Sequence, residues 1–412
     1  MAPTAPADNC SANIKSFWFY LLIGVICSSF ILESIASAAG VRMRPRLMAS
    51  SQTSQTITVL SYSNGSLNVS VSDGVVNISP WKEIGTDNPS YPRAAYVATV
   101  EFRGLSPYTD YSYTISQVGE VESYSGSFTT LPPIGADVDF SFILYTCDWF
   151  FNQLPVTWDY IKAHASDPEP ILFMIGQDDI GYIDDRANVD DSTGVSGMVL
   201  GPVKIGDLQQ EWGYAFGWLM YWGMVDRKAP SDERWWVYEN MPLFAMWGDH
   251  EIDHNFRQSH NGSFSQIDYN KSRVVWDALF GDAMPPPLTG GSFSVPGGGS
   301  FPYMYFGVKA GELTWAQADR NSHACYEFYE AGNANSNFCS SNFLPVQLLG
   351  ATQINSITNW LDNTQTWFKL FSASNSLKNV QADLTGAQEP WKDTTGWLTD
   401  YNLFKDAVKS KG

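Results

Sequence analysis

Residues 240–256 read NMPLFAMWGDHEIDHNF, an apolar run that ends in a dense polar cluster. Asp249, His250, Glu251, Asp253 and His254 fall close together there, in a chain with only five histidines. Carboxylates and imidazoles at this density can hold a cation, and a held cation polarises water or an ester oxygen. Two further apolar runs end in the same way. FSFILYT runs into Cys147-Asp148, and ILFMIG runs into Gln177-Asp178-Asp179. In open α/β sheets ligands collect at the carboxyl ends of strands, so the three clusters are expected to converge. Converging carboxylates repel one another unless a cation lies between them. Taken singly, each cluster reads as solvated loop charge; the coincidence of three points to a metal centre.

His250-Glu251-x-x-His254 also matches the HExxH pattern of zinc proteases. That chemistry needs a helix, so that positions i and i+4 share one face. Here the preceding PLFAMWGD is strand-like, and no amphipathic pattern extends through EIDHNFRQSHNGS. The protease reading therefore ranks last.

The elements that must position these groups divide in two. Over residues 54–133, TITVLSYS, SLNVSVS, AAYVATVEF, YSYTISQV and YSGSFTT are short, rich in Val, Thr and Tyr, and separated by turn residues. They predict a small all-β sandwich. GLSPYTDY within it is similar to the tyrosine corner of fibronectin type III sandwiches, and TTLPPIGADVD reads as a linker. From residue 138 the rhythm becomes α/β. DFSFILYT, PILFMIG, NMPLFAMWG and TWFKLFSAS are nearly continuous apolar strands, which implies a sheet covered on both faces. Trp158 and Ile161 mark one helix; Ile354, Ile357 and Leu361 mark another. Residues 183–240 read as an aromatic helical insertion and the Pro- and Gly-rich 283–310 as a long loop.

The formal net charge of −19 over 412 residues disfavours nucleic acid and anionic membranes as partners. An anionic substrate would therefore need a cationic element in the site. Residues 1–40 read as a secretory signal, with Lys15, the apolar SFWFYLLIGVICSSFIL and the small-residue SIASAAG; an uncleaved anchor is the alternative. The chain is expected to be secreted or displayed at the cell surface, without stable membrane insertion once the signal is cleaved. Sequons at Asn64, Asn68, Asn77, Asn261 and Asn270 fit export and N-linked glycans. Cys325 and Cys339 are expected to pair, which leaves Cys147 as a buried thiol or a metal ligand.

WGDHEIDHN (Trp247 to Asn255) resembles the W-D-D-H-E-x-x-N-N pattern of PhoD-type alkaline phosphatases, which are calcineurin-like metallophosphoesterases. TCD is similar to that family's S-C-Q strand end, IGQDDIGY to its L-G-D-Y-I-Y, and LLGATQINSITNWLDNTQTWFKL to its L-G-x-x-Q helix and following strand. The likeness spans roughly residues 55–412, with a leading sandwich like that of purple acid phosphatases. It implies an α/β fold with metallophosphoesterase-type central sheets flanked by helices over 138–412. It also implies a secreted phosphoesterase acting on phosphomonoesters or phosphodiesters with a metal-activated water, for phosphate scavenging.

By the same resemblance, Cys147 and Tyr182 would ligate Fe3+, with Asp148 beside them. Asp179 would bridge, since Tyr182 then falls at +3, with Asp178 as the alternative. Asp249 and Asn255 would hold Ca2+, other divalent metals being possible. His250, beside Asp249 in the catalytic set, would stabilise the transition state or protonate the leaving alcohol, and His254 would be a second donor or a structural residue. Two departures stand out. Gln177 follows Gly176 where the family has Asp, and no histidine follows His323, although the family's last ligands lie in a Gly-Asp-x-His element. WLTDYNLFKDAVKSKG resembles the helix before that element, so the domain is expected to be incomplete at its C-terminus. A secreted adhesion or scaffold glycoprotein with a decayed site is the competing reading.

Overall fold

The computed structural model describes residues 44–61, 63–87, 95–146, 148, 156–165, 167, 169–177, 179–181, 183, 211–227, 233–248, 251–252, 266–295, 299–319 and 351–372. The signal-like stretch, Cys325, Cys339, Asn261 and the C-terminal WLTDYNLFKDAVKSKG lie outside them. Among the described residues no helix is long and apolar enough to cross a membrane.

The chain is mixed α/β. Eight strands come first: β1 (Arg46–Ser50), β2 (Ser54–Ser61), β3 (Leu67–Val71), β4 (Val75–Ile78), β5 (Lys82–Ile84), β6 (Ala95–Arg103), β7 (Asp110–Gln117) and β8 (Ser123–Thr129). One sheet runs β1-β2-β6-β4 with β5 also on β6, and the other runs β3-β7-β8. β1 begins ahead of residue 54. Alternation explains β7, where Tyr111, Tyr113 and Ile115 point inward while Ser112 and Thr114 are more exposed. Phe128 stacks on Phe102 with centroids 5.9 Å apart, closing the core between the sheets. At the corner, the Tyr111 hydroxyl accepts the Ser106 N–H at 2.7 Å. Asn64, Asn68 and Asn77 are exposed on this unit; Asn270 is half-buried in a helix, and the Ser272 hydroxyl of its sequon donates to the Glu251 carbonyl.

The remaining strands among the described residues form two small sheets and a hairpin. β9 (Ser141–Tyr145), β10 (Ile171–Gln177) and β11 (Leu243–Met246) are parallel, in the order β11-β10-β9. β12 (Ser292–Val295) and β13 (Gly299–Pro302) pair as a hairpin where the sequence suggests only loop, because SFSV and GSFP supply strand formers on either side of glycines. β14 (Phe306–Ala310) pairs antiparallel with β15 (Leu313–Gln317), which runs parallel to β16 (Phe368–Ser372). Among the described residues the α-helices are α1 (Val156–His164), α2 (Glu211–Arg227), α3 (Arg234–Asn240), α4 (Gln266–Leu279) and α5 (Ala351–Asp362). Ile354, Ile357 and Leu361 do lie on the buried face of α5.

Aromatic contacts join the β9–β11 sheet to the β14–β16 sheet. Trp315 on β15 stacks on Phe173 of β10 at 4.7 Å and meets Phe244 of β11 edge-on at 5.0 Å. β9 differs from expectation: it is an edge strand among those described, and Leu144 on it is 53% exposed.

The sandwich is fused to the α/β half. All five residues of β1 are buried, as they must be when one face meets the sandwich core and the other meets β11 and the helices. Met48, Leu60, Ile84, Ala95 and Val97 belong to the same apolar cluster as Phe173, Trp218 and Phe244. The segment after β8 is packed as well: Leu131 is buried, and Gly135 N–H bonds to the Gly311 carbonyl at 2.8 Å.

Asp87 binds the two halves electrostatically. Its carboxylate accepts the Glu211 and Trp212 amides, both at 2.9 Å, capping the positive end of α2, and pairs with Lys271 of α4 at 3.0 Å. Partial burial pushes its pKa up, but the bonds from Lys271, Glu211 and Trp212 outweigh this and hold it below the ordinary 3.8. A depressed folded-state value stabilises the fold above the unfolded value, and the gain is lost as pH falls through the folded one. Asp87→Ala should therefore lower the unfolding free energy by about 0.5–2 kcal/mol at neutral pH. In urea titrations the gap between variant and parent should begin to narrow as the pH approaches 3.8 and should close as it falls on through the lower folded-state value.

Candidate functional site

A parallel sheet releases its chains at one end, and there the backbone N–H groups leave the ladder and need other acceptors. At the carboxyl ends of β9, β10 and β11 those acceptors tie the three tips together. The Asp148 amide, just after β9, donates to the Asp179 carbonyl, just after β10, at 2.8 Å. Beyond β10, the Gly181 N–H donates to Glu251 Oε1 at 2.7 Å, and beyond β11 the Gly248 N–H donates to Glu251 Oε2. Glu251 is 0% exposed, so these are hydrogen bonds made away from water, where each counts for more. The expected convergence of the strand tips is thus visible in the backbone that flanks them.

Cys147, Asp178, Tyr182, Asp249, His250, Asp253, His254 and Asn255 lie outside the described residues. Asp148 and Asp179 lie within them, and they differ. Asp148 is fully buried, with Arg234 Nη1 3.3 Å from its Oδ1. Its Oδ2 accepts the hydroxyls of Tyr221 at 2.8 Å and Tyr238 at 3.3 Å. Burial, and then the Asp148 charge, push the pKa of Tyr221 and Tyr238 upward, which keeps both as donors. Tyr145, whose hydroxyl meets that of Tyr238 at 3.4 Å, is raised by burial and then by Tyr238. A guanidinium already balances this carboxylate and would repel a metal ion beside it. Asp148 thus has a counter-charge and two donors within the fold, and these hold the β9 tip in place.

Asp179 has a different setting. It is 7% exposed and adopts a left-handed backbone with φ +50, which Asp tolerates more readily than most residues. This sharp turn follows directly on β10, and outliers of this kind are over-represented at ligand clamps. The packing around it leaves no room for side chains on the neighbouring glycines. A Cβ on Gly176 would come within 2.7 Å of Ile180 and 3.0 Å of the Tyr145 hydroxyl, and one on Gly181 would come within 2.7 Å of the Trp218 ring. Among the described residues no three His, Cys, Asp or Glu side chains share a potential metal position.

The protease pattern meets a physical obstacle. Glu251 and Ile252 lie in a turn after β11, and both carboxylate oxygens of Glu251 are engaged by backbone amides. A general base needs a carboxylate facing a bound water.

Sequence reasoning missed the structural parts of this region: Glu251 as a clamp, and Arg234, Tyr221 and Tyr238 as the setting of Asp148. One signal was available. Arg234 stands in ERWWVYEN, and a cation flanked by aromatics on a short helix has to find a counter-charge once buried; its guanidinium sits 4.9 Å from the Trp158 ring centroid. No protein-family model matches the chain, and no curated protein matches it.

Glu251→Ala leaves both glycine amides without this acceptor. It should destabilise the fold by about 1–3 kcal/mol for each amide. Glu251→Gln keeps one acceptor oxygen and should cost about half as much. Equal unfolding midpoints for the parent and both variants would refute the clamp.

Proposed function

We propose that the chain is a secreted metal-dependent phosphoesterase whose site lies at the joined tips of β9, β10 and β11. The observation that carries this reading is the pair of ties, Asp148 to Asp179 and Gly181 to Gly248 through Glu251. They bring together three strand ends whose adjoining sequence holds Cys147, Asp178, Asp179, Asp249, His250 and Asn255. The stacking of the β9–β11 sheet on the β14–β16 sheet also agrees with the two-sheet core that the family resemblance implies.

On this reading Asp179 and Asp249 are the principal oxygen ligands, with Cys147, Tyr182 and Asn255 completing the set and Asp178 as the alternative to Asp179. Bound there, iron and calcium or other divalent ions would acidify a water and offset phosphate charge in an acidic protein. His250 gives a proton to the leaving alcohol oxygen. Asp148, held by Arg234 and two tyrosines, is a positioning residue. The competing reading, a scaffold glycoprotein with a decayed site, is favoured by these protein partners of Asp148, which leave it less available to a metal than Asp179.

The test is elemental analysis for iron and calcium together with p-nitrophenyl phosphate hydrolysis. Asp179→Asn and Asp249→Ala should lose both metal and turnover. His250→Ala should keep metal while turnover falls about 10²–10⁴-fold. A parent protein with neither metal nor turnover supports the scaffold reading, and unimpaired hydrolysis by Asp249→Ala rules out the proposed site.

A further inference from the structure

A cavity of about 140 Å³ lies against the outer edge of β11, between α4, the turn that follows it and the start of β14. Met246, Met284, Met304, Trp276 and Phe306 supply apolar walls, and Arg273 and Asp277 stand among them. An apolar cavity of about 150 Å³ is large enough for a benzene ring. Methionine walls adapt to flat rings, since the unbranched thioether repacks easily and sulfur meets aromatic edges favourably.

One polar group in the wall is under-served. β11 is an edge strand among those described, so the Ala245 amide has no strand partner on that side. It donates instead to the Met284 sulfur at 3.1 Å. A thioether is a weak acceptor, and an oxygen in its place would make a stronger bond. The charges are balanced in pairs: Arg273 Nε binds Asp277 at 2.7 Å, and Lys82 binds Asp282 at the rim. With each carboxylate already matched by a cation, the cavity offers no net attraction to a charged ligand.

We propose that this cavity is a binding site for a neutral aromatic ring of benzene size carrying one hydrogen-bond acceptor. The ring lies among the three methionines and Trp276, and the acceptor takes the Ala245 N–H from Met284. This site is separate from the phosphoesterase reading and stands or falls on binding alone.

The experiment uses protein labelled with 13C at the methionine methyls and titrates it with phenol, benzene, benzoate and benzylammonium by NMR. Of the eleven methionines in the chain, Met246, Met284 and Met304 should show saturable ring-current shifts with phenol. Benzoate and benzylammonium should bind at least about tenfold more weakly, a difference of about 1.4 kcal/mol. Met304→Trp fills the space and should abolish the shifts. Met284→Leu removes the competing sulfur at similar volume and should raise the preference for phenol over benzene, which decides the matter should Met304→Trp fail to fold. Unsaturable shifts, shifts spread evenly over the other methionines, or an unchanged preference in Met284→Leu would overturn the proposal.

Discussion

A buried carboxylate held by two backbone amides governs the geometry at the strand tips. Glu251 receives the N–H groups of Gly181 and Gly248, so the loops leaving β10 and β11 cannot separate without leaving donors unmatched in the interior. Parallel strands make such a device necessary: they end together, and their released amides crowd into one place where water is scarce. A short acidic side chain with two oxygens can answer two of these amides at once. The richness in acids at the tips therefore has two sources, some groups closing the backbone and others left to face a ligand. Asp148 belongs with the first kind, through Arg234, Tyr221 and Tyr238.

The sandwich contributes to that geometry from behind. Arg46 of β1 is buried, with its guanidinium 5.5 Å from the Trp222 ring and 5.2 Å from the Tyr238 ring. The Tyr113 hydroxyl donates to the Glu239 carbonyl at 2.9 Å, and the Thr58 hydroxyl to the Leu279 carbonyl at the same distance. These contacts fix α3 and the end of α4, the helices that carry Arg234 and Arg273. A β-sandwich that looks like an accessory unit thereby sets the position of residues well away from it in sequence.

Much of this organisation was legible in the residues. Period-two alternation marked β7, helical spacing marked α5, and unbroken apolar runs marked β10 and β11. Local pattern fails where a residue's role depends on a distant partner. Nothing near Thr58 or Arg46 says that the outer face of their sheet will be covered, because the covering residues lie more than a hundred positions later. Glu251 stood inside a stretch dense with ligand-type side chains, where its pairing with Gly181 left no trace in spacing. The hairpin of β12 and β13 was hidden by glycines and prolines that suggest loop while the intervening phenylalanines form strand.

The fused core has a consequence for how the protein is made. Ribosomes deliver β1, β2 and β6 well before α3, α4 and β11. During that interval the apolar surface formed by Met48, Leu60, Ala95 and Val97 is complete but uncovered. The nascent sandwich is thus a sticky half-molecule until the later segments have arrived to cover it.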